Sequence, residues 1–199
     1  MPESMLVETV PFAHDRPVSL PGLVIDCRGG LTVASIAAYR DKAAALSDLI
    51  EATYGAALPE PGRRVSSGAI TLQWSGPSQW LAIAERGPHD GAGRDLEVEL
   101  KSLVGGLAAV VDQSDSRGIV AISGPRAIDV LVKGVPIDLH ERAFATGQVA
   151  NTHANHIAIT IARLDDAPTF ELTMYRSYAT SFADWLHSAA AEFVHATAR

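Results

Sequence analysis

Val110-Val111-Asp112-Gln113-Ser114-Asp115-Ser116-Arg117-Gly118-Ile119-Val120-Ala121-Ile122-Ser123-Gly124-Pro125-Arg126-Ala127-Ile128-Asp129-Val130-Leu131 is the stretch that decides the fold. An apolar, valine-rich run leads into it from Ala108 to Val111, as a buried strand would. The five polar residues from Gln113 to Arg117 must reach the surface. Gly118 to Ile122 is apolar again, so the pattern predicts strand, polar turn, strand: a hairpin. Ser123 is placed to cap a helix, and Pro125 falls where a first-turn proline loses no hydrogen bond. Ile128, Leu131 and Val132 give that helix an apolar face, with Asp129 in the same helix.

Upstream, Gly22 to Arg28 reads as a strand, Arg28-Gly29-Gly30 as a turn, and Leu31 to Ala37 as the returning strand. Tyr39 to Tyr54 is helical by the spacing of Ala43, Leu46, Leu49, Ile50 and Tyr54, and Gly55 ends it. Pro59 to Arg64 is a loop. Ala69 to Ser75 and Trp80 to Ala84 are strands around Gly76-Pro77, and glycines make the segment from Gly87 to Gly93 a loop. Leu96, Leu100 and Leu103 mark a helix closed by Gly105-Gly106.

Downstream, Gln148 to Asn151, Ile157 to Arg163 and Thr169 to Tyr175 are strand candidates. Ile157, Ile159 and Ile161 share one face, and Asp165 to Pro168 forms a hairpin turn. Ser177 is placed to cap a last helix whose stripe is Phe182, Trp185, Leu186, Ala189 and Phe193.

The element order repeats. Each half, about 21–106 and about 107–199, runs strand, strand, helix, strands, helix. The expectation is an α+β fold with antiparallel sheets and helices on one side of each. Residues 21–199 then form one domain of two similar halves. Residues 1–20 form an extended arm, because Pro2, Pro11 and Pro17 interrupt regular structure; Leu6 and Phe12 are its candidate anchors.

Composition narrows the function. Of 199 residues, 47% are hydrophobic and 20% charged, which describes an ordinary globular chain. A net charge of −7 without any basic run argues against nucleic acid. No apolar stretch approaches the ~20 residues of a membrane span, and the first residues lack a signal-peptide core, so a cytoplasmic protein is expected. Cys27 is the single cysteine and reads as an inert core thiol.

Chemical motifs are sparse. Neither phosphate-binding glycine pattern occurs. His153 and His156 stand three apart, but a zinc site needs more donors than this pair supplies. Ser114, Asp115 and Ser116 beside Asp112 suit a self-bonded turn better than a nucleophile and base. Arg117 and Arg176 are candidates to clamp a carboxylate. Trp74, Trp80 and Trp185 are read as core, Trp80 being the one expected nearest an interface. No catalytic, cofactor-binding or metal-binding residue is assigned.

Val111-Asp112-Gln113-Ser114, then Arg117-Gly118-Ile119-Val120-Ala121-Ile122-Ser123-Gly124-Pro125-Arg126-Ala127, resembles the Asp-x-Ser…Gly-x-x-x-x-x-Gly-x-x-Ala segment of the aminomethyltransferase (glycine-cleavage T protein) superfamily. The similarity is greater to the gamma-subunit family of heterotetrameric sarcosine oxidases, which has about this length and lacks the C-terminal barrel. It continues through Gly147-Gln148-Val149, the strand region from Thr152 to Ile161, and Phe170 to Tyr178 with Trp185-Leu186.

The resemblance implies an aminomethyltransferase-type fold of two ferredoxin-like ββαββα halves. It also implies a non-catalytic gamma subunit, assembled with alpha, beta and delta subunits of a bacterial flavoenzyme. That complex oxidises the N-methyl group of sarcosine to give glycine and hydrogen peroxide, passing the one-carbon unit to tetrahydrofolate. FAD, FMN, NAD, zinc and tetrahydrofolate are expected on the other subunits and none on this chain. The alternative is a stand-alone folate-binding or aminomethyltransferase-like protein using Asp112 or Arg117 at the central turn.

Overall fold

A computed structural model describes Phe12, residues 18–87 and residues 93–194. The strands are β1 (Val18–Leu20), β2 (Leu23–Arg28), β3 (Leu31–Ala38), β4 (Arg64–Ser67), β5 (Ile70–Gly76), β6 (Gln79–Glu85), β7 (Ala108–Asp112), β8 (Arg117–Ser123), β9 (Val149–Ala154), β10 (Ile157–Arg163) and β11 (Phe170–Tyr175). The helices are α1 (Ala43–Tyr54), α2 (Leu96–Val104), α3 (Ala127–Leu131) and α4 (Ala179–Val194). They form two antiparallel sheets, ordered β1-β2-β8-β11-β10-β9 and β4-β5-β6-β3-β7.

The α+β class with antiparallel sheets is as expected, but the central turn is not a hairpin. β7 pairs with β3, while β8 pairs with β2 and β11. The run from Gln113 to Ser116 therefore carries the chain from one sheet to the other. Arg28-Gly29-Gly30 does the same, since β3 pairs with β6 and β7 and not with β2. Periodicity reports which face of a strand is buried, not which neighbour it pairs with.

Traced by pairing, β3-α1-β5-β6-α2-β7 is a contiguous βαββαβ unit with sheet order β5-β6-β3-β7. That is the split βαβ arrangement of ferredoxin-like folds. The second unit runs β8-α3-β10-β11-α4, and β2 fills the place beside β8 where its last strand belongs. The smaller sheet thus takes one strand, β7, from beyond residue 106, and the larger takes two, β1 and β2, from before it.

Local chemistry sets the helix ends. The Asp95 carboxylate accepts the backbone N–H groups of Glu97 and Val98, capping α2. Gly55 stops α1 at φ 75° and returns its N–H to Glu51 O. α1 begins at Ala43, later than the spacing suggested, because Asp41 has φ 60°. Ser123 and Ser177 do not cap: Ser123 ends β8, and Ser177 lies in a 3-10 turn ahead of α4. α3 has only five residues, and Val132 behind it is exposed. Part of the expected arm is a strand, since Val18–Leu20 pairs with β2 at the sheet edge between Pro17 and Pro21. Phe12 is buried against the same core, whereas Leu6 lies outside the described residues.

Each sheet buries one face under its own helices. Phe182, Leu186 and Ala190 of α4 pack with Ile122, Ile161, Phe170 and Leu172 beneath the larger sheet. Leu46 and Ile50 of α1 and Leu96 and Leu100 of α2 pack with Ile36, Leu72 and Ala82 beneath the smaller one. The remaining faces of the two sheets meet each other, and a small cluster of Val33, Leu81, Ile83 and Ile119 joins them.

Candidate functional site

Strand alternation places the chemistry on this seam. With Phe170, Leu172 and Met174 of β11 turned into the core, Glu171, Thr173 and Tyr175 face the other sheet. Likewise Val120 and Ile122 of β8 point inward, and Arg117 and Ile119 outward to the seam.

One end of the seam is held by ions. Arg64 Nη1 on β4 donates to Glu171 Oε1 at 2.6 Å, joining the two sheets. Arg28 Nη1 lies 3.6 Å from Glu171 Oε2, and Arg28 Nη2 donates to Glu85 Oε1 at 2.8 Å on the smaller sheet. Glu171 is only 2% exposed, so its charge depends on the two flanking guanidinium groups. Beside Arg64 in register lies Gln73, also buried, with both polar atoms of its amide unpartnered.

At the other end the sheets diverge into a cleft of about 540 Å³. Asn151 Nδ2 donates to Ser75 O at 3.0 Å, bridging the sheets there, and Thr160 Oγ1 on the neighbouring strand of the same sheet donates to Asn151 Oδ1 at 2.8 Å. Arg117 lines the cleft, with its guanidinium carbon 4.1 Å from the centroid of the Tyr175 ring. Arg117 Nε is buried and has no hydrogen-bond partner.

The residues singled out in the sequence divide accordingly. Asp112 accepts the Ser114 N–H at 3.0 Å and the Ser114 hydroxyl at 2.6 Å. Ser114 Oγ also accepts the Val33 N–H at 2.9 Å, pinning the crossover to β3. Ser116 Oγ donates to Gln113 O at 3.0 Å. Asp112 and the serines are thus spent on a turn, and of the two alternatives, Asp112 or Arg117, only Arg117 is among the described residues lining the cleft.

Arg176 is absent from the cleft lining and sits in the turn after β11. His153 lines the cleft, while His156 stands in the β9–β10 turn at φ 74°. Cys27 packs against the larger core. Trp80, expected nearest an interface, is instead the most buried of the three tryptophans. It is 8% exposed, and its indole N–H donates to Pro59 O at 2.9 Å. The sequence reading missed Glu171, Arg64, Arg28 and Gln73. The polar Glu171 and Thr173, alternating with Phe170, Leu172 and Met174, were the available signal for a second buried face.

A family model described as Sarcosine oxidase, gamma subunit family matches residues 38–192. This chain belongs to the sarcosine oxidase gamma-subunit family. It is 33% identical to the sarcosine oxidase subunit gamma of Arthrobacter sp over 152 residues, 74% of this chain and 71% of the relative. It is 27% identical to the subunit of the same name from Corynebacterium sp. (strain U-96) over 191 residues, 94% and 86% of the two chains.

The fold is also that of a chain in the heterotetrameric sarcosine oxidase from Corynebacterium sp. U-96, a structure in complex with pyrrole 2-carboxylate. The TM-score is 0.78 at 24% identity, over 94% of this chain and 96% of that one. The glycine cleavage system aminomethyltransferase T from Bartonella henselae shares it at TM-score 0.62 and 14% identity, over 90% of this chain and 57% of the enzyme. The gamma-subunit family therefore carries an aminomethyltransferase-type fold, as the motif around Asp112 to Ala127 implied. No helix among the described residues is long and apolar enough to cross a membrane.

Proposed function

We propose that this chain is the gamma subunit of a cytoplasmic heterotetrameric sarcosine oxidase, assembled with alpha, beta and delta subunits. The complex oxidatively demethylates sarcosine to glycine, with hydrogen peroxide formed and the one-carbon unit passed to tetrahydrofolate. FAD, FMN, NAD, zinc and tetrahydrofolate belong to the other subunits, and this chain supplies packing surface. The family match across residues 38–192 carries the reading. The surface adds support. Val111, Tyr175 and Tyr178 are each about half exposed, and the turns that follow β7 and β11 touch one another. Exposed aromatics grouped with apolar neighbours suit a protein interface.

Co-expression with the other three subunits from the same host tests this. The expected result is a stable complex containing one copy of this chain, active on sarcosine, in which Tyr175→Asp with Tyr178→Asp weakens retention of the chain. The lone chain should bind no flavin and turn over no sarcosine. A full-activity complex assembled without this chain, or turnover by the chain alone, overturns the reading.

A further inference from the structure

We propose that the 540 Å³ cleft between the sheets is a binding site for a small organic carboxylate, received by Arg117. In a chain of net charge −7, none of the described residues lining this cleft is acidic. Its charged or ionisable members are Arg117, His153 and Tyr175, and only Arg117 is permanently cationic. Arginines in the other seam pocket are neutralised: Arg64 by Glu171, Arg28 by Glu171 and Glu85, Arg94 by Glu99. Arg117 has no such carboxylate; its ring contact is with Tyr175.

Stacking on Tyr175 occupies a face of the guanidinium and holds its plane. The Nε–H is closed off from the cleft and has no partner, whereas the two terminal Nη groups are not among the buried unpartnered atoms, so a carboxylate is received by the Nη–H edge, which can give one hydrogen bond to each of its oxygens. A guanidinium without a carboxylate partner, held against an aromatic ring at the wall of a cleft, gains a charge-assisted bond when an anion enters. Thr173, Ser75 and Gln79 line the same space and offer hydroxyl and amide groups for the rest of a small polar molecule. The volume is that of an ordinary small-ligand pocket, ~300–1,000 Å³. The inference does not depend on which complex the chain joins.

The test uses the full chain with selective ¹⁵N labelling of arginine. Benzoate and glutarate are titrated against their uncharged counterparts, benzamide and glutaramide. Expected results are a shift of the Arg117 Nε–H resonance with the carboxylates and none with the amides. Affinity should fall at least tenfold in Arg117→Gln and partly recover in Arg117→Lys. Arg126→Gln, which alters an exposed pair with Asp129, should leave binding unchanged. Should Arg117→Gln fail to fold, the resonance shift and the acid-against-amide comparison in the unaltered chain still decide. Equal response to acids and amides, no shift at Arg117, or undiminished binding in a folded Arg117→Gln overturns the proposal. So does carboxylate binding that vanishes when the partner subunits assemble, because the cleft is then a socket for a partner's acidic side chain.

Discussion

Glu171 of β11 and Arg64 of β4 meet at 2.6 Å from opposite sheets, with the glutamate side chain 2% and the arginine 12% exposed. Each lies where alternation turns it away from its own helices, so the pair is a fastening between the two βαββαβ units. Removing one partner of a buried pair strands the other charge, at a cost of about 3–5 kcal/mol. Glu171→Ala should therefore lower the urea midpoint sharply with little change in slope. Replacing both residues, with Glu171→Leu and Arg64→Met, should restore most of the loss. A single substitution costing under about 1 kcal/mol would mean that the seam's apolar cluster alone holds the sheets together.

Gly134, just past α3, lies flat against Trp185 of α4. A Cβ there would sit 2.6 Å from Trp185 Cζ2 and 2.8 Å from Cε2. The obstacle is a ring packed against Phe182 at 5.4 Å between centroids, so it has little room to retreat. Gly134→Ala should destabilise by about 1–3 kcal/mol, the usual cost of overpacking. Trp185→Leu in the same chain should recover part of it, a coupling that thermal melts of the four variants would measure. Additive losses would place the strain elsewhere.

This contact also shows what the sequence disclosed and what it hid. Trp185 was legible as part of the buried stripe of α4, because helical spacing encodes a face. Its dependence on a glycine fifty-one residues earlier was not, because close approach leaves no periodic mark. The same division runs through the fold. β5, β10 and β11 were readable from alternation, β3, β6 and β8 from apolar runs and the turn residues around them, and the turn in which Asp112 holds Ser114 from its Asp and Ser content. The assignment of β2 and β7 to opposite sheets was not, since Arg28-Gly29-Gly30 and Gln113 to Ser116 look like hairpin turns and act as crossovers. Arg117 was noticed for its charge. That it lines a cleft with no acidic residue among the described lining appears only once β8, β9 and β11 are brought together.

Gln73 presents the opposite case from Glu171. It is 1% exposed, and neither its amide nitrogen nor its oxygen has a partner. A buried polar group without hydrogen bonds costs about 1–3 kcal/mol. Gln73→Leu, of similar volume, should raise the urea midpoint or leave it unchanged, although polar residues are normally kept out of such a substitution. A loss of more than 1 kcal/mol would show that the amide bonds to an ordered water or to Arg64 in solution.

The Arg94–Glu99–Tyr54 cluster makes stability depend on pH from both sides. Arg94 Nε donates to Glu99 Oε2 and Nη2 to Oε1, both at 2.7 Å, and the Tyr54 hydroxyl donates to Oε1 at 2.6 Å. The Arg94 hydrogen bonds, outweighing partial burial, hold the Glu99 carboxyl below the usual glutamate range. A folded-state value below the unfolded one gives stability that is present above the unfolded glutamate's ~4.3 and is lost as pH falls through the folded value. Tyr54 shifts the other way: burial first, then its bond to Glu99, raise the phenol above its ordinary value. The unfolded phenol ionises near pH ~10 while the folded one keeps its proton, so that stabilisation drains away as pH rises beyond ~10. Glu99 is more than one-third exposed, and solvent screening limits its pair with Arg94 to about 0.2–1 kcal/mol. Urea titrations from pH 3 to 11 should show Glu99→Gln less stable than the parent at pH 7, with the gap closing below pH 4. Tyr54→Phe should flatten the alkaline fall. An acid limb identical in parent and Glu99→Gln, with the gap unchanged at pH 3, would mean the carboxylate is already free of Arg94 in solution.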